Sequence, residues 1–251
     1  MDLMQLIVIF CVSVVTSTFG TLVGGSSLIT IPLLIMMGLP PHTAICTDRI
    51  GTAGIGMAGL YSFHRKGMVR YRLAFTVGIP CLFGGFIGAN LSLQISPELL
   101  KKVIVALTVI FLIVLMANPR LGVAAPTNRP LSAKRYALGA FLALVVGIYG
   151  GFYGAGAGTL LGYIMILLFR QTFLESAANN KVAGILMSLT SAATYAYHGA
   201  IHLPSALVMF VGCGIGSYVS ARYSHLLGNV WIKRLFIVVI LLMAVKLLMN
   251  A

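Results

Sequence analysis

The sequence predicts an all-α polytopic membrane protein of two inverted-topology repeats, with about eight full spans and two short broken or re-entrant helices behind glycine-rich segments. Three observations predict it. Of 251 residues, 59% are hydrophobic and 8% charged, and the mean hydropathy is +1.03. A soluble domain carries roughly a quarter charged residues, so soluble enzymes, nucleic-acid-binding domains and disordered tails are excluded. Apolar runs near the length of a membrane-spanning helix recur along the chain. Finally, a long, short, weak, long, long order of segments occurs twice.

In chain order, segment 3–20 is the first expected helix. The opening Met1-Asp2-Leu3-Met4-Gln5 lacks the basic stretch of a cleaved signal peptide, so this helix is expected to be retained. The apolar run 28–39 follows Gly24-Gly25-Ser26-Ser27 and is too short to cross a bilayer at ordinary helical rise. Segment 44–63 is a weaker span because it holds Asp48-Arg49, and the basic loop 65–72 separates it from spans 73–96 and 99–117. The stretch 118–135 has three prolines and no apolar run. Residues 1–118 are therefore read as the first repeat, 119–135 as a cytoplasmic linker and 136–251 as the second repeat. The second repeat opens with span 136–153. The glycine-rich 154–158 and the short run 159–169 come next. Span 177–198, weakened by Asn179-Asn180-Lys181, precedes spans 205–227 and 232–250. Pro32 and Pro80 fall in apolar segments and are expected to kink them.

A shift of 132 residues pairs Gly24 with Gly156, Gly67 with Gly199, Cys81 with Cys213, Gly84 with Gly216 and Lys101 with Lys233 without a gap. It sets Arg49 opposite Lys181 and Asp48 opposite Asn180. Charge then orients the halves. If each short segment completes a crossing, the second copy is inverted and 12 basic residues lie inside against 3 outside, leaving out Arg49 and Lys181. Parallel halves give 9 against 6. Basic residues collect in cytoplasmic loops, so the count favours inversion. The net charge of +13 is thus read as topology rather than as nucleic-acid affinity.

A helix that starts inside a membrane presents N–H groups and the positive end of its dipole, which suit an anion. The candidate binding residues of the first half are Gly24, Gly25, Ser26, Ser27, Thr47 and Arg49; those of the second are Gly156, Gly158, Thr159, Asn179, Asn180 and Lys181. Ser26, Ser27, Thr159, Thr47, Asn179 and Asn180 add hydrogen-bond donors. A cation deep in a bilayer costs about 2.5–3.5 kcal/mol, so Arg49 and Lys181 at matching positions are expected to face a cavity; snorkelling to an interface is the alternative. Asp48 is a counter-charge to one of them or a coupling group. Glu175 is expected to support a helix start. His42 and His202 are placed in loops, His64 and His198 at helix ends. The aromatic residues Tyr149, Phe152, Tyr153, Tyr195 and Tyr197 are read as interfacial belts or cavity lining. The four cysteines are read as packing residues. No metal or cofactor pattern is present, so neither is expected.

The run Gly20-Thr-Leu-Val-Gly-Gly-Ser-Ser-Leu-Ile-Thr-Ile-Pro32, then Ala44-Ile-Cys-Thr-Asp48 and Gly67-Met-Val, resembles the TauE/SafE family of sulfite and organosulfonate exporters. Gly154-Ala-Gly-Ala-Gly158-Thr-Leu-Leu, Ala177-Ala-Asn-Asn-Lys181 and Gly199-Ala-Ile repeat the pattern. The chain departs from it in having Ser26-Ser27 where the family carries a fuller glycine run, and Ile164 where the first half has Pro32. The resemblance implies a multi-pass transporter of the bacterial inner membrane that moves sulfite, sulfoacetate-like or related sulfonates, often outward. Expected partners are a small anionic substrate and the lipid bilayer, with no nucleic acid; a homodimer is left open. An anion channel and an uptake permease for the same substrates are the alternatives, and no enzyme motif is present.

Overall fold

The computed structural model of the chain describes residues 2–100, 102–104, 106 and 132–224. Every regular element among them is helical. The helices are α1 (Leu3–Val23), α2 (Ser27–Met36), α3 (Pro41–Arg65), α4 (Tyr71–Leu93), α5 (Ala133–Phe152), α6 (Ala157–Leu167), α7 (Phe173–Tyr197) and α8 (Leu203–Arg222). Most of the expected span 99–117, linker residues 118–131 and span 232–250 lie outside the described residues.

Among the described residues, α1, α4, α5 and α8 are long and apolar enough to cross a membrane. Their outward faces carry exposed Phe83, Phe86, Phe141, Leu207 and Val211, the inverse of a soluble surface and suited to lipid. The central helices α3 and α7 have 25 residues each, about 37 Å of helix. They are less apolar because they carry the polar residues of the interior. Their bounds are offset by 132 residues at both ends, and α4 and α8 start with the same offset.

Packing follows the same correspondence. Helix α3 packs on α7 at the centre, α4 packs on α5 and α7, and α8 packs on α1 and α3. Small residues set these distances, since helices in lipid associate by close packing rather than by expulsion of water. A Cβ on Gly84 of α4 would stand 2.6 Å from the Leu144 carbonyl oxygen of α5, and one on its counterpart Gly216 would strike the Val14 carbonyl of α1. The breaks after α1 and α5 come at Gly24 and Gly154, both at positive φ, so the short α2 and α6 begin within the bundle. Pro32 and Pro80 lie inside α2 and α4.

Two helices begin earlier than hydropathy suggests. Pro40-Pro41 fixes the first turn of α3, a position where a missing N–H costs nothing. His42 is therefore helical rather than in a loop, with Nε2 3.0 Å from the Ser92 carbonyl oxygen. His202 is the N-cap of α8. In α7, Thr172 and Glu175 form a reciprocal capping box, the Thr172 side chain accepting from the Glu175 N–H. Glu175 thus supports the helix start as expected, by hydrogen bonding as well as charge.

Candidate functional site

The breaks in α1 and α5 bring the two glycine-rich segments face to face. A Cβ on Gly24 would lie 2.6 Å from Thr159 N and Oγ1, and one on Gly154 would overlap the Arg49 guanidinium. Between the segments lies a cavity of about 70 Å³. A water centre needs about 10–15 Å³, so the space suits a few waters or one small oxyanion.

Eight of the twelve expected binding residues line this cavity: Gly24, Gly25, Ser26, Ser27, Arg49, Gly158, Asn180 and Lys181. Two short helices start at its wall. Neither N-cap, Ser26 for α2 or Gly156 for α6, supplies a side-chain cap, so the first turns present their dipole ends toward the cavity.

Arg49 and Lys181 are each the ninth residue of their helix. Arg49 is 0% exposed and Lys181 6%, so neither snorkels. Arg49 Nη1 donates to the Gly150 carbonyl at 3.2 Å, and Nη2 to Ser27 Oγ at 3.1 Å and to Asp48 Oδ2 at 2.5 Å. Its Nε is buried without a partner. Lys181 Nζ donates to the Thr21 carbonyl at 2.7 Å. Arg49 of α3 thus meets a carbonyl near the end of α5, and Lys181 of α7 one near the end of α1, where the helix dipole is negative.

Asp48 is the counter-charge of Arg49. Its carboxylate also accepts from Thr30 Oγ1, and Thr52 Oγ1 is 3.5 Å away. It sits behind the guanidinium rather than in the cavity lining. Lys181 has no carboxylate within ion-pair reach among the described residues.

The remaining expected residues stand elsewhere. Asn179 Oδ1 accepts from Arg70 N at 2.6 Å and its Nδ2 donates to the Glu175 carbonyl at 2.8 Å, so it ties the α3–α4 loop to α7. One step along a helix turns a side chain by about 100°, which separates Asn179 from the cavity-facing Asn180. Thr47 is fully buried, with Oγ1 unpartnered. Gly156 is the left-handed N-cap of α6, and Thr159 packs against Gly24. Lining residues without a charge or motif to mark them include Thr52, Gly184 and Met187. Thr52 was findable, lying one turn beyond Asp48-Arg49 on the same face.

The aromatic residues divide. Tyr195 and Tyr153 are fully buried, which excludes them from a belt, whereas Tyr197 is exposed. Tyr195 Oη donates to the Gly151 and Phe152 carbonyls at 3.1 and 3.2 Å. Cys46, Cys81 and Cys213 are buried and Cys11 is exposed.

Comparison with known proteins gives one family and a set of relatives. A family model described as Sulfite exporter TauE/SafE matches residues 9–247. The chain is 27% identical over 245 residues to a Haemophilus influenzae protein named "Probable membrane transporter protein", covering 98% of this chain and 95% of that one. It is 23% identical to the "Probable membrane transporter protein YfcA" of Escherichia coli, over 97% of this chain and 90% of the relative. It is also 23% identical to YdhB of Bacillus subtilis, named in the same way, over 91% and 92%. No solved structure matches the chain.

Proposed function

Because the chain belongs to the TauE/SafE sulfite exporter family and is a multi-pass membrane protein, we propose that it is a secondary transporter of small sulfur-containing anions such as sulfite or sulfoacetate-like organosulfonates. The direction proposed is export across the bacterial inner membrane. The observation that carries the reading is Lys181, a buried cation at the cavity wall with no carboxylate partner among the described residues, beside an Arg49 whose charge Asp48 offsets. Holding such a cation in a bilayer is costly, and an anion entering the cavity removes that cost.

The halves 1–118 and 136–251, joined by a cytoplasmic linker at 119–135, are read as inverted repeats that rock about the cavity in alternating access. The matching bounds of α3 and α7, and the matching pairs α4 on α5 and α8 on α1, support that reading. The binding set is Gly24, Gly25, Ser26, Ser27, Arg49, Gly158, Asn180 and Lys181, with Asp48 the coupling candidate.

The test is flux of labelled sulfite through vesicles containing the purified protein. Lys181→Met keeps the length of the side chain and removes its charge. It is expected to reduce flux at least tenfold while the protein stays folded and monodisperse. Undiminished flux would overturn the site. Sulfite flux that accelerates when sulfite is present on the opposite side fits a carrier, and large single-channel currents would instead establish a channel.

A further inference from the structure

The two halves place like charges at matching positions but not like counter-charges, and this bears on which anions the site takes. The inference rests on the anion-transport reading above. Arg49 stands opposite Lys181, whereas Asp48 stands opposite Asn180. The first half's cation therefore comes with its own carboxylate, 2.5 Å from Nη2, and the second half's cation does not. The chain contains four acidic residues, Asp2, Asp48, Glu98 and Glu175, and only Asp48 is buried. No other acidic side chain can enter the balance. Among the described residues, the formal charge around the cavity is a single positive.

An anion of one negative charge brings that balance to zero. An anion of two leaves a net negative charge in a buried, weakly solvated place, which is costly. Asp48 is set behind Arg49 and held by Thr30 and Thr52, outside the cavity lining. It therefore acts on the ligand through charge and not through contact. We infer that Asp48 is a specificity-determining residue that tunes the site to monovalent anions and disfavours divalent ones, so that within the proposed substrate class hydrogensulfite and singly charged sulfonates are taken in preference to dianions such as sulfoacetate.

The substitution that reads this is Asp48→Asn. The second half already accommodates an amide at this register in Asn180, whose Nδ2 donates to the Gly158 carbonyl at 3.2 Å. The amide oxygen at 48 can still accept from Arg49, and its NH2 can donate to Thr30 Oγ1, whose own proton then goes to the Ser26 carbonyl. Methanesulfonate and sulfate are suitable probes, being tetrahedral sulfur oxyanions of similar size that differ by one charge.

Each anion is titrated against the thermal stability of the purified full-length protein at constant ionic strength, and the ratio of the two apparent affinities is compared between variants. The wild type is expected to favour methanesulfonate. In Asp48→Asn the ratio should move toward sulfate by at least tenfold, about 1.4 kcal/mol. Asn180→Asp reads the same charge from the other half, and there the ratio should move at least tenfold away from sulfate. Asp48→Ser, which removes the same carboxylate, decides the matter if Asp48→Asn fails to fold, with the same shift toward sulfate expected. A ratio unchanged in a folded variant, or a wild type that prefers sulfate, overturns the role of Asp48 while leaving the anion site standing. Stabilisation of the wild type by neither anion, and by no sulfite, overturns both.

Discussion

Gly24 is the position where sequence, backbone and site are most tightly joined, and Gly24→Ala tests that junction. Two separate costs act there. The backbone, at φ +81° and ψ −176°, occupies a region essentially reserved for glycine, and forcing a side chain into it costs about 1–3 kcal/mol. The new Cβ would also stand 2.6 Å from Thr159 N and 3.0 Å from Gly158 C. These are backbone atoms that no rotamer change can move, so overpacking adds about 1–3 kcal/mol. Gly67→Ala supplies the reference. Gly67 has φ +66°, and a methyl group added there would meet nothing within 4 Å, so it carries backbone strain alone, about 1–2 kcal/mol. The contact of the two glycine-rich segments should therefore separate the variants by about 1–3 kcal/mol, a gap in melting temperature of about 2–12 °C. The assay is thermal unfolding of both proteins in the same detergent. Coincident melting curves would refute the close approach of Gly24 to α6, and with it the cavity between the segments.

Other substitutions separate structural roles from binding roles. Asn179→Ala removes the acceptor of the Arg70 N–H and is expected to cost about 1–3 kcal/mol of stability. Its affinity for methanesulfonate, read by ligand-induced thermal shift, should stay within a few fold of wild type. Thr172→Ala breaks the capping box of α7 and should lower stability by about 1 kcal/mol, again measured by melting and without change in affinity. Arg49→Leu leaves Asp48 buried without its cation. It should cost about 3–5 kcal/mol, seen as a melting point well below that of Lys181→Met.

The described helices were legible because lipid imposes a simple rule of length and apolarity, under which α3 and α7 read as weaker spans on account of Asp48-Arg49 and Asn179-Asn180-Lys181. Helix starts were less legible. Hydropathy places the start of α3 at the first apolar residue, whereas Pro40-Pro41 and the capping box at Thr172 set the true starts of α3 and α7. At the site, residues with a charge or a glycine run announced themselves. Asn179 and Asn180 are neighbours of equal chemistry, and only helical phase assigns one to the loop contact and the other to the cavity. The partners of Arg49 and Lys181 in the opposite half are main-chain carbonyls, which every residue possesses and no sequence can mark.

Those two carbonyl contacts also govern the order in which the molecule can be completed. The Thr21 carbonyl is met by a side chain 160 residues downstream. At roughly 5–20 residues per second, that partner arrives about 8–32 s after Thr21 is synthesised. Throughout that interval the end of α1 is unmet, and until residue 150 is made Arg49 lacks the Gly150 carbonyl it will hold. A chain ending before Lys181 would leave the Thr21 carbonyl in that condition. The cavity can therefore close only once the chain has been made past Lys181 and Met187.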